Sequence, residues 1–503
     1  MSGMIRQLVA SAVAFTPAGA NNVARTEQDK GRERPTPGDK GAKGDGATDD
    51  TAAFTAFEAE NVGRVVDLLG KTYVVTAVPV KNAYFNGVFK VGGVTQQAMT
   101  WKSFAGNKAK FHAYGGQLRA LHKSLCNPLE QQTTIGLWGD SKTWGLALPE
   151  NATSTPRNGT LADPRDNFAS ESWANQFKRF IGARYFDGVA PTLSNWSYSS
   201  AGQSTATYQR TIDLYPNLSP FSTALTGTAS NTDNSSAGSL LGYQNQIGIT
   251  QTGATAELTF QFTGTTFNLV FSSITAASSA DYELFVDGVS QGTFQTYTGA
   301  LANQQRRTHT FGYVRNKTVK IAARYPAAGT GGVAYLYLEA IEILKACTIV
   351  NQGIIGTTAY NYNTYMFGGF GPSIITSDLN YVFVQLGTND RGNNAPSHNQ
   401  PNGTNNFKRN MTTLLGRITP TAGVILMNAS PAANESPSTY SFDMQAVRNV
   451  IDQLGSDNAL DVIDNYTIFA GVDLGSVLAD GLHENLLGHS MVASNIINAL
   501  ESA

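Results

Sequence analysis

Charge is scarce in this chain: Asp, Glu, Lys and Arg make up 14% of its 503 residues, and 35 basic against 37 acidic residues leave a formal net charge of −2. A field that weak recruits neither nucleic acid nor an anionic membrane surface, so neither is an expected partner. Cysteine is scarcer still. Two thiols without close spacing, Cys126 and Cys347, cannot build a metal cluster or a disulfide framework, and both are read as free. No run approaches the roughly 20 apolar residues that cross a bilayer, and no membrane insertion is expected. The run "LVASAVAF" after Arg6 imitates a signal peptide only loosely and is read as an apolar arm that packs on a partner chain. What the chain does have is glycine, 50 residues of it, together with Thr, Ser and Asn, which favours turn-rich β structure over helical bundles. Its length implies several modules.

Residues 21 to 50 are polar and rich in Gly, Pro and charge, ending "PGDKGAKGDGATDDTAAF". Gly38, Gly41 and Gly44 make three G-x-y triplets, far too few for a collagen helix, so the segment is read as a turn. Asp49 or Asp50 is placed to cap the helix "TAAFTAFEAE", because an Asp carboxylate accepts from the unpaired N–H groups of a first turn. From "RVVDLL" through "KTYVVTAVPVKNAYFNGVFKV" the composition is β-branched and aromatic, which predicts short successive strands. Over about residues 22 to 95 this stretch resembles the opening segment of phage tail fibre and tailspike proteins, where a Gly-Asp-Gly…Asp-Asp-Thr run begins a pectin-lyase-like β region. Lys40 departs from that pattern, which usually has an aromatic residue there. Too few residues remain before 130 for a full β-helix, so a short β-rich stem or collar is expected.

The pattern then changes. "TTIGLW" reads as a buried strand, and Trp173, Phe177, Phe180 and Ile181 recur at helical spacing. The same alternation resumes after residue 347 with the apolar runs "CTIV", "YVFVQLG" and "GVILMNAS", the stripe Val447, Val450, Ile451 and Leu454, and a last helix from about Asn485. Alternating strands and helices imply a mostly parallel sheet covered on both faces. Between the halves, residues 205 to 345 alternate with period two, as in "ELTFQFTGTTFNLVF", and Asp287-Gly288 is a strong hairpin signal. This stretch is read as an inserted all-β sandwich.

Four short segments carry chemistry, and in an open α/β sheet they fall where sites form, at the carboxyl edge of the strands. "LWGDSKTWG" ends one strand with Ser141, "VNQGIIGTT" follows another, "QLGTND" ends a third, and "ADGLHENLLGH" precedes the last helix. Alone, Gly-Asp-Ser is what any tight turn recruits. A serine nucleophile needs an imidazole to take its proton and a carboxylate to fix that imidazole's tautomer. Asp480 and His483, three residues apart, fit those roles, whereas the rival His489 has no such partner and is read as a packing or surface residue. Candidate oxyanion donors are the N–H of Ser141, the N–H of Gly356 and the amide of Asn389, with Gly202 an alternative to Gly356. Asn389 as a strand-end cap is the bland alternative, and Asp390 is read as structural. Trp144 is a candidate platform for a sugar ring, and Trp138 is read as core.

Together these blocks, in this order, resemble the SGNH (GDSL-like) hydrolases over roughly 131–182 and 346–503. The resemblance implies a serine esterase on a flavodoxin-like three-layer α/β fold. Ser141 would be its nucleophile, Asp480 and His483 would complete the triad, Gly356 and Asn389 would line the oxyanion hole, and no metal or organic cofactor would take part. The expected domains are an N-terminal arm or virion attachment (1–37), the stem (38–128), the hydrolase (129–204 and 346–503) and the insert (205–345), with Tyr282, Tyr297 or Tyr335 as possible glycan platforms. An esterase site behind a tail-fibre-like segment implies removal of O-acetyl groups from a bacterial surface polysaccharide. The expected setting is the virion, as a homotrimer joined through its N-terminus to a phage tail or baseplate protein. A non-enzymatic adhesin and a secreted bacterial esterase are the alternatives. Paired carboxylates for glycoside hydrolysis are not evident.

Overall fold

The structure is a computed structural model that describes residues 36–61, 65–77, 82–96, 109–148, 170–195, 204–367, 379–392, 403–418 and 422–503, with 14–15, 25–26, 79, 165 and 168 besides. Most of the expected N-terminal arm, and Gly202, lie outside the described residues. Two compact units emerge: Met1–His122, Thr134–Thr207 and Ile349–Ala503 form one, and Lys123–Thr133 with Tyr208–Thr348 form the other.

Within the first unit, β1 (Asp45–Asp49), α1 (Thr51–Glu60), β2 (Val65–Val74), β3 (Ala83–Val91) and β4 (Val94–Gln96) make a small sheet and helix. The β1/β2 and β2/β3 pairs are parallel and β3/β4 is antiparallel. Phe54 and Phe57 of α1 pack with Tyr73, Tyr84 and Phe89 in a core of their own. The aspartates of the Gly-Asp-Gly…Asp-Asp-Thr run act as turn clasps. Asp50 stands at the N-cap of α1, yet its carboxylate turns back to accept from the N–H groups of Lys43 (2.7 Å) and Gly44 (3.1 Å), while Asp49 accepts from Thr51 N–H (2.9 Å).

The same unit holds a larger mixed sheet built from β5 (Phe111–His112), most of β6 (Gln132–Gly139), the last three residues of β7 (Val333–Asn351), β8 (Tyr381–Gln385), β9 (Gly423–Met427) and β10 (Val462–Ile463). Residues 349–351 of β7 lie beside β6, and the order continues β8, β9, β10, β5. β6, β8, β9 and β10 run parallel, and β5 is an antiparallel edge. The register aligns Gln385 with Gly139, and Met427 with Ile463, so the loops leaving these strands open at one edge.

Helices cover both faces, and the alternation along β8 shows why. Val382 and Val384 join a core with Phe407, Met411 and Leu414 of α2 (Thr404–Ile418) and with Val447, Ile451 and Leu454 of α3 (Met444–Asn458). Phe383 points the other way, its ring 5.4 Å from that of Phe177. Phe177 belongs to the helix Trp173–Tyr185, which packs on the final helix Leu486–Ser502. The helix starts are capped as their sequences allow: Ser172 accepts from Asn175 N–H (3.2 Å), Asp443 from Ala446 N–H (2.7 Å), and Asn485 from Leu487 (3.0 Å) and Gly488 (3.1 Å).

The second unit is built from antiparallel pairs. Thr255–Ser273 pairs with Ala302–Arg324, and Asp281–Val286 pairs with Val289–Phe294. Leu258, Phe260, Phe262, Phe267, Leu269 and Phe271 all enter its core. Asp287 and Gly288 adopt φ of 48° and 78°, the left-handed pair that a two-residue hairpin turn requires. One expectation fails here. Tyr282 is fully buried, its hydroxyl 2.7 Å from His309 Nε2, so it offers no platform to a glycan, whereas Tyr297 and Tyr335 are half-buried.

Candidate active site

Gly139 closes β6 because nothing larger fits: a Cβ there would come within 2.1 Å of Thr143 Oγ1 and 2.7 Å of the Gln385 carbonyl. Asp140 then caps the one-turn helix Ser141–Trp144, accepting from Lys142 N–H at 3.0 Å. Burial raises the pKa of Asp140, against the pull of that hydrogen bond. Ser141 is the first residue of the turn, where a backbone N–H has no intrahelical acceptor and its dipole favours negative charge.

The Ser141 hydroxyl meets His483 Nε2 at 2.8 Å, and His483 Nδ1 meets Asp480 Oδ2 at 2.7 Å. The three side chains form one hydrogen-bonded relay. Asp480 Oδ1 also accepts from the N–H groups of His483 (2.7 Å) and Leu482 (3.0 Å). Partial burial pushes its carboxyl upward, but the bonds from His483 and Leu482 outweigh that and hold it at about 2. Asp480 is therefore ionised in the neutral range, as a carboxylate that orients an imidazole must be.

Gly356 stands exposed on the turn after β7 with φ of 72°, a left-handed conformation that glycine adopts without a Cβ penalty. Asn389 lies just past β8, half-buried, and its amide donates to the Thr357 carbonyl at 3.0 Å, which ties it to the Gly356 turn. The segment that leads into the Gly356 turn abuts the serine turn. Ile354 N–H donates to the Gly139 carbonyl (2.9 Å), and Asn351 Nδ2 donates to the Thr143 carbonyl (3.0 Å).

Asp390 clasps the same two loops, its carboxylate accepting from Ala359 N–H at 3.0 and 3.1 Å, at the start of the helix Ala359–Phe367. Burial first, and then the nearby Asp140 charge, push its pKa up to about 7. The protonated acid is thus favoured by folding. Its stabilising contribution is complete below an ordinary aspartate pKa of about 4 and is lost as pH rises through about 7. Asn at this position keeps an acceptor and cannot ionise. Asp390→Asn is therefore expected to melt a few degrees above wild type at pH 8 but not at pH 4 in scanning calorimetry. A difference that stays flat between those pH values would refute the assignment.

The Trp144 expectation is corrected. Trp144 is fully buried, with the Arg165 guanidinium 3.7 Å above its ring centre and Arg165 itself donating to the Gly353 carbonyl (2.8 Å). The guanidinium takes one face of the ring and burial closes the other, so none is left for a sugar. Trp138 is core, its indole N–H donating to Gln352 Oε1 at 2.8 Å. His489 is buried, and burial lowers its pKa to about 4; its Nδ1 accepts from Trp173 N–H at 3.3 Å, which marks a packing residue. Arg165, Lys142, Ser430 and Glu484, all buried in or behind the site, carry no sequence signal of their own. Among the described residues, no three His, Cys, Asp or Glu side chains are grouped so as to hold a metal.

No protein-family model matches this chain, and no curated protein aligns with it. Several solved structures resemble it weakly. A peptidoglycan O-acetylesterase is 13% identical with a TM-score of 0.36, the match covering 78% of this chain and 98% of the other. Axe2, an acetylxylan esterase from Geobacillus stearothermophilus solved as a catalytic mutant, is 17% identical with a TM-score of 0.26, over 31% of this chain and 72% of its own. The acetyl xylan esterase AlAXEase is 21% identical with a TM-score of 0.25, over 29% and 78%. Likenesses at this level carry no information about what this chain acts on.

Proposed function

We propose that this chain is a serine esterase of the SGNH type that removes O-acetyl groups from a bacterial surface polysaccharide. The observation that carries the proposal is the relay from the Ser141 hydroxyl through His483 to an ionised Asp480, at the carboxyl edge of a parallel sheet. In the acylation step His483 Nε2 takes the hydroxyl proton as Ser141 Oγ attacks the acetyl carbon. The N–H groups of Ser141 and Gly356 and the amide of Asn389 receive the oxyanion, a donor of this kind contributing roughly 2.7–4 kcal/mol. The tetrahedral adduct collapses, the bond between the acetyl carbon and the sugar oxygen breaks, and the imidazolium gives its proton to that departing oxygen, which leaves as the sugar hydroxyl. Water then repeats the sequence on acetyl-Ser141 and releases acetate.

The setting rests on the N-terminal segment. Its Gly-Asp-Gly…Asp-Asp-Thr run and the β-rich fold of the described residues between 36 and 96 support a tail-fibre or tailspike stem, on a flavodoxin-like hydrolase with an inserted sandwich. On this reading the chain is part of a virion, attached through its N-terminus to a phage tail or baseplate protein. It would act as a homotrimer outside the host cell. The Asp480 end of the relay borders solvent, with its side chain 52% exposed, while Ser141 is nearly buried.

The reading is tested by incubating the protein with purified O-acetylated capsule or O-antigen while following acetate and polymer length together. Acetate should appear while the chain length stays constant. Shortened polymer without acetate would replace esterase by depolymerase, and binding without either product would favour the adhesin.

A further inference from the structure

The residue directly after Ser141 is a lysine with no exposed surface. Its ammonium donates to Ser430 Oγ (2.7 Å), to Glu484 Oε1 (3.1 Å) and to the carbonyl of Leu482. Those three acceptors take all three of its protons. Burying a charge pair costs several kcal/mol per ion before its attraction is counted, and apolar residues of similar size often serve stability equally well. Stability alone therefore gives little reason for a lysine here.

Its position gives a better one. The Leu482 carbonyl and the His483 N–H belong to a single peptide plane. Lys142 holds that plane by its oxygen, and Asp480 Oδ1 holds it by its nitrogen at 2.7 Å. Clamped on both sides, the plane cannot rotate, and the Cα–Cβ direction of His483 is set with it. The rest of the loop is fixed as well: the Gly481 carbonyl accepts from Ala433 N–H (2.8 Å), and the His483 carbonyl from Ala479 N–H (2.8 Å). Lys142 is covalently next to the nucleophile, so its clamp references the imidazole to the Ser141 backbone.

We propose that Lys142 is a positioning residue, its buried ammonium locking the Leu482–His483 peptide so that His483 Nε2 stays within reach of the Ser141 hydroxyl. The catalytic part rests on the esterase reading; the geometric part does not. Lys142→Met alone would strand the Glu484 carboxylate in the interior and endanger folding. The informative pair is Glu484→Gln, which leaves the ammonium without its counter-ion but still with three neutral acceptors and so should melt below wild type, and the double variant Lys142→Met/Glu484→Gln, which removes both charges. Both should melt cooperatively. With 4-nitrophenyl acetate, Glu484→Gln is expected to keep kcat within about fivefold, whereas the double variant should lose about 10²-fold in kcat with KM changed less than threefold, the scale of a 1 Å misplacement. A crystal structure of the double variant should show the Ser141–His483 hydrogen bond opened beyond about 3.5 Å. A folded double variant that keeps that bond, or matches Glu484→Gln in kcat, would overturn the proposal. Should wild type prove inactive on every ester, the esterase reading falls and the crystallographic distance still decides the clamp.

Discussion

Ser141→Ala is expected to abolish acetate release, lowering kcat by about 10⁴-fold or more while leaving the fold intact. Removing one hydroxyl from a nearly closed site costs little packing, because Ser141 is 2% exposed and the capping of its turn runs through Asp140 and the backbone. Chemically the loss is total for the covalent route: no other hydroxyl is hydrogen-bonded to His483 among the described residues. Residual turnover would come from water activated by the same imidazole and from the oxyanion donors. A fluorophosphonate probe provides an independent readout, labelling wild type at Ser141 and leaving the variant unlabelled. Wild-type acetate release in the Ser141→Ala protein would remove this residue from its role and the esterase proposal with it.

Asp480→Asn should cost nearly as much, about 10³–10⁴-fold in kcat. The amide oxygen of Asn can still accept from the Leu482 and His483 N–H groups, which now share Asp480 Oδ1. Its amide nitrogen would then face His483 Nδ1, where Asp480 Oδ2 now sits at 2.7 Å, and a donor facing that atom forces the proton onto Nε2. An imidazole with Nε2 protonated cannot take the Ser141 proton. The loss should appear in kcat with both small esters and polysaccharide, with little change in melting temperature. A loss below tenfold would mean that the orienting carboxylate is another group.

Much of this site was visible in the sequence because its parts obey local rules. Ser141 follows Gly-Asp since the close approach of Thr143 and Gln385 demands a glycine and the turn demands a cap. Asp480 and His483 are three residues apart, a separation that a tight turn spans, and they are hydrogen-bonded twice. The helix at 444–458 and the hairpin at Asp287-Gly288 were legible for the same reason, one by period and the other by turn chemistry. What was illegible depends on residues distant in the chain. Trp144 loses its free face to Arg165, which stands in a stretch without periodicity, and Tyr282 is sealed in by contact with His309. Nothing in the sequence sets Lys142 apart, because its three acceptors, at 430, 482 and 484, are far along the chain. The helix Ala359–Phe367, "AYNYNTYMF", has little apolar stripe and owes its start to the Asp390 clasp.

The hydroxyl and the imidazole that meet at 2.8 Å are separated by 342 positions along the polypeptide. Residues 208–348, most of the second unit, lie between them in the order of synthesis. Until residue 483 is made the serine has no imidazole beside it, so a chain truncated anywhere before that point carries the Gly-Asp-Ser turn without its relay.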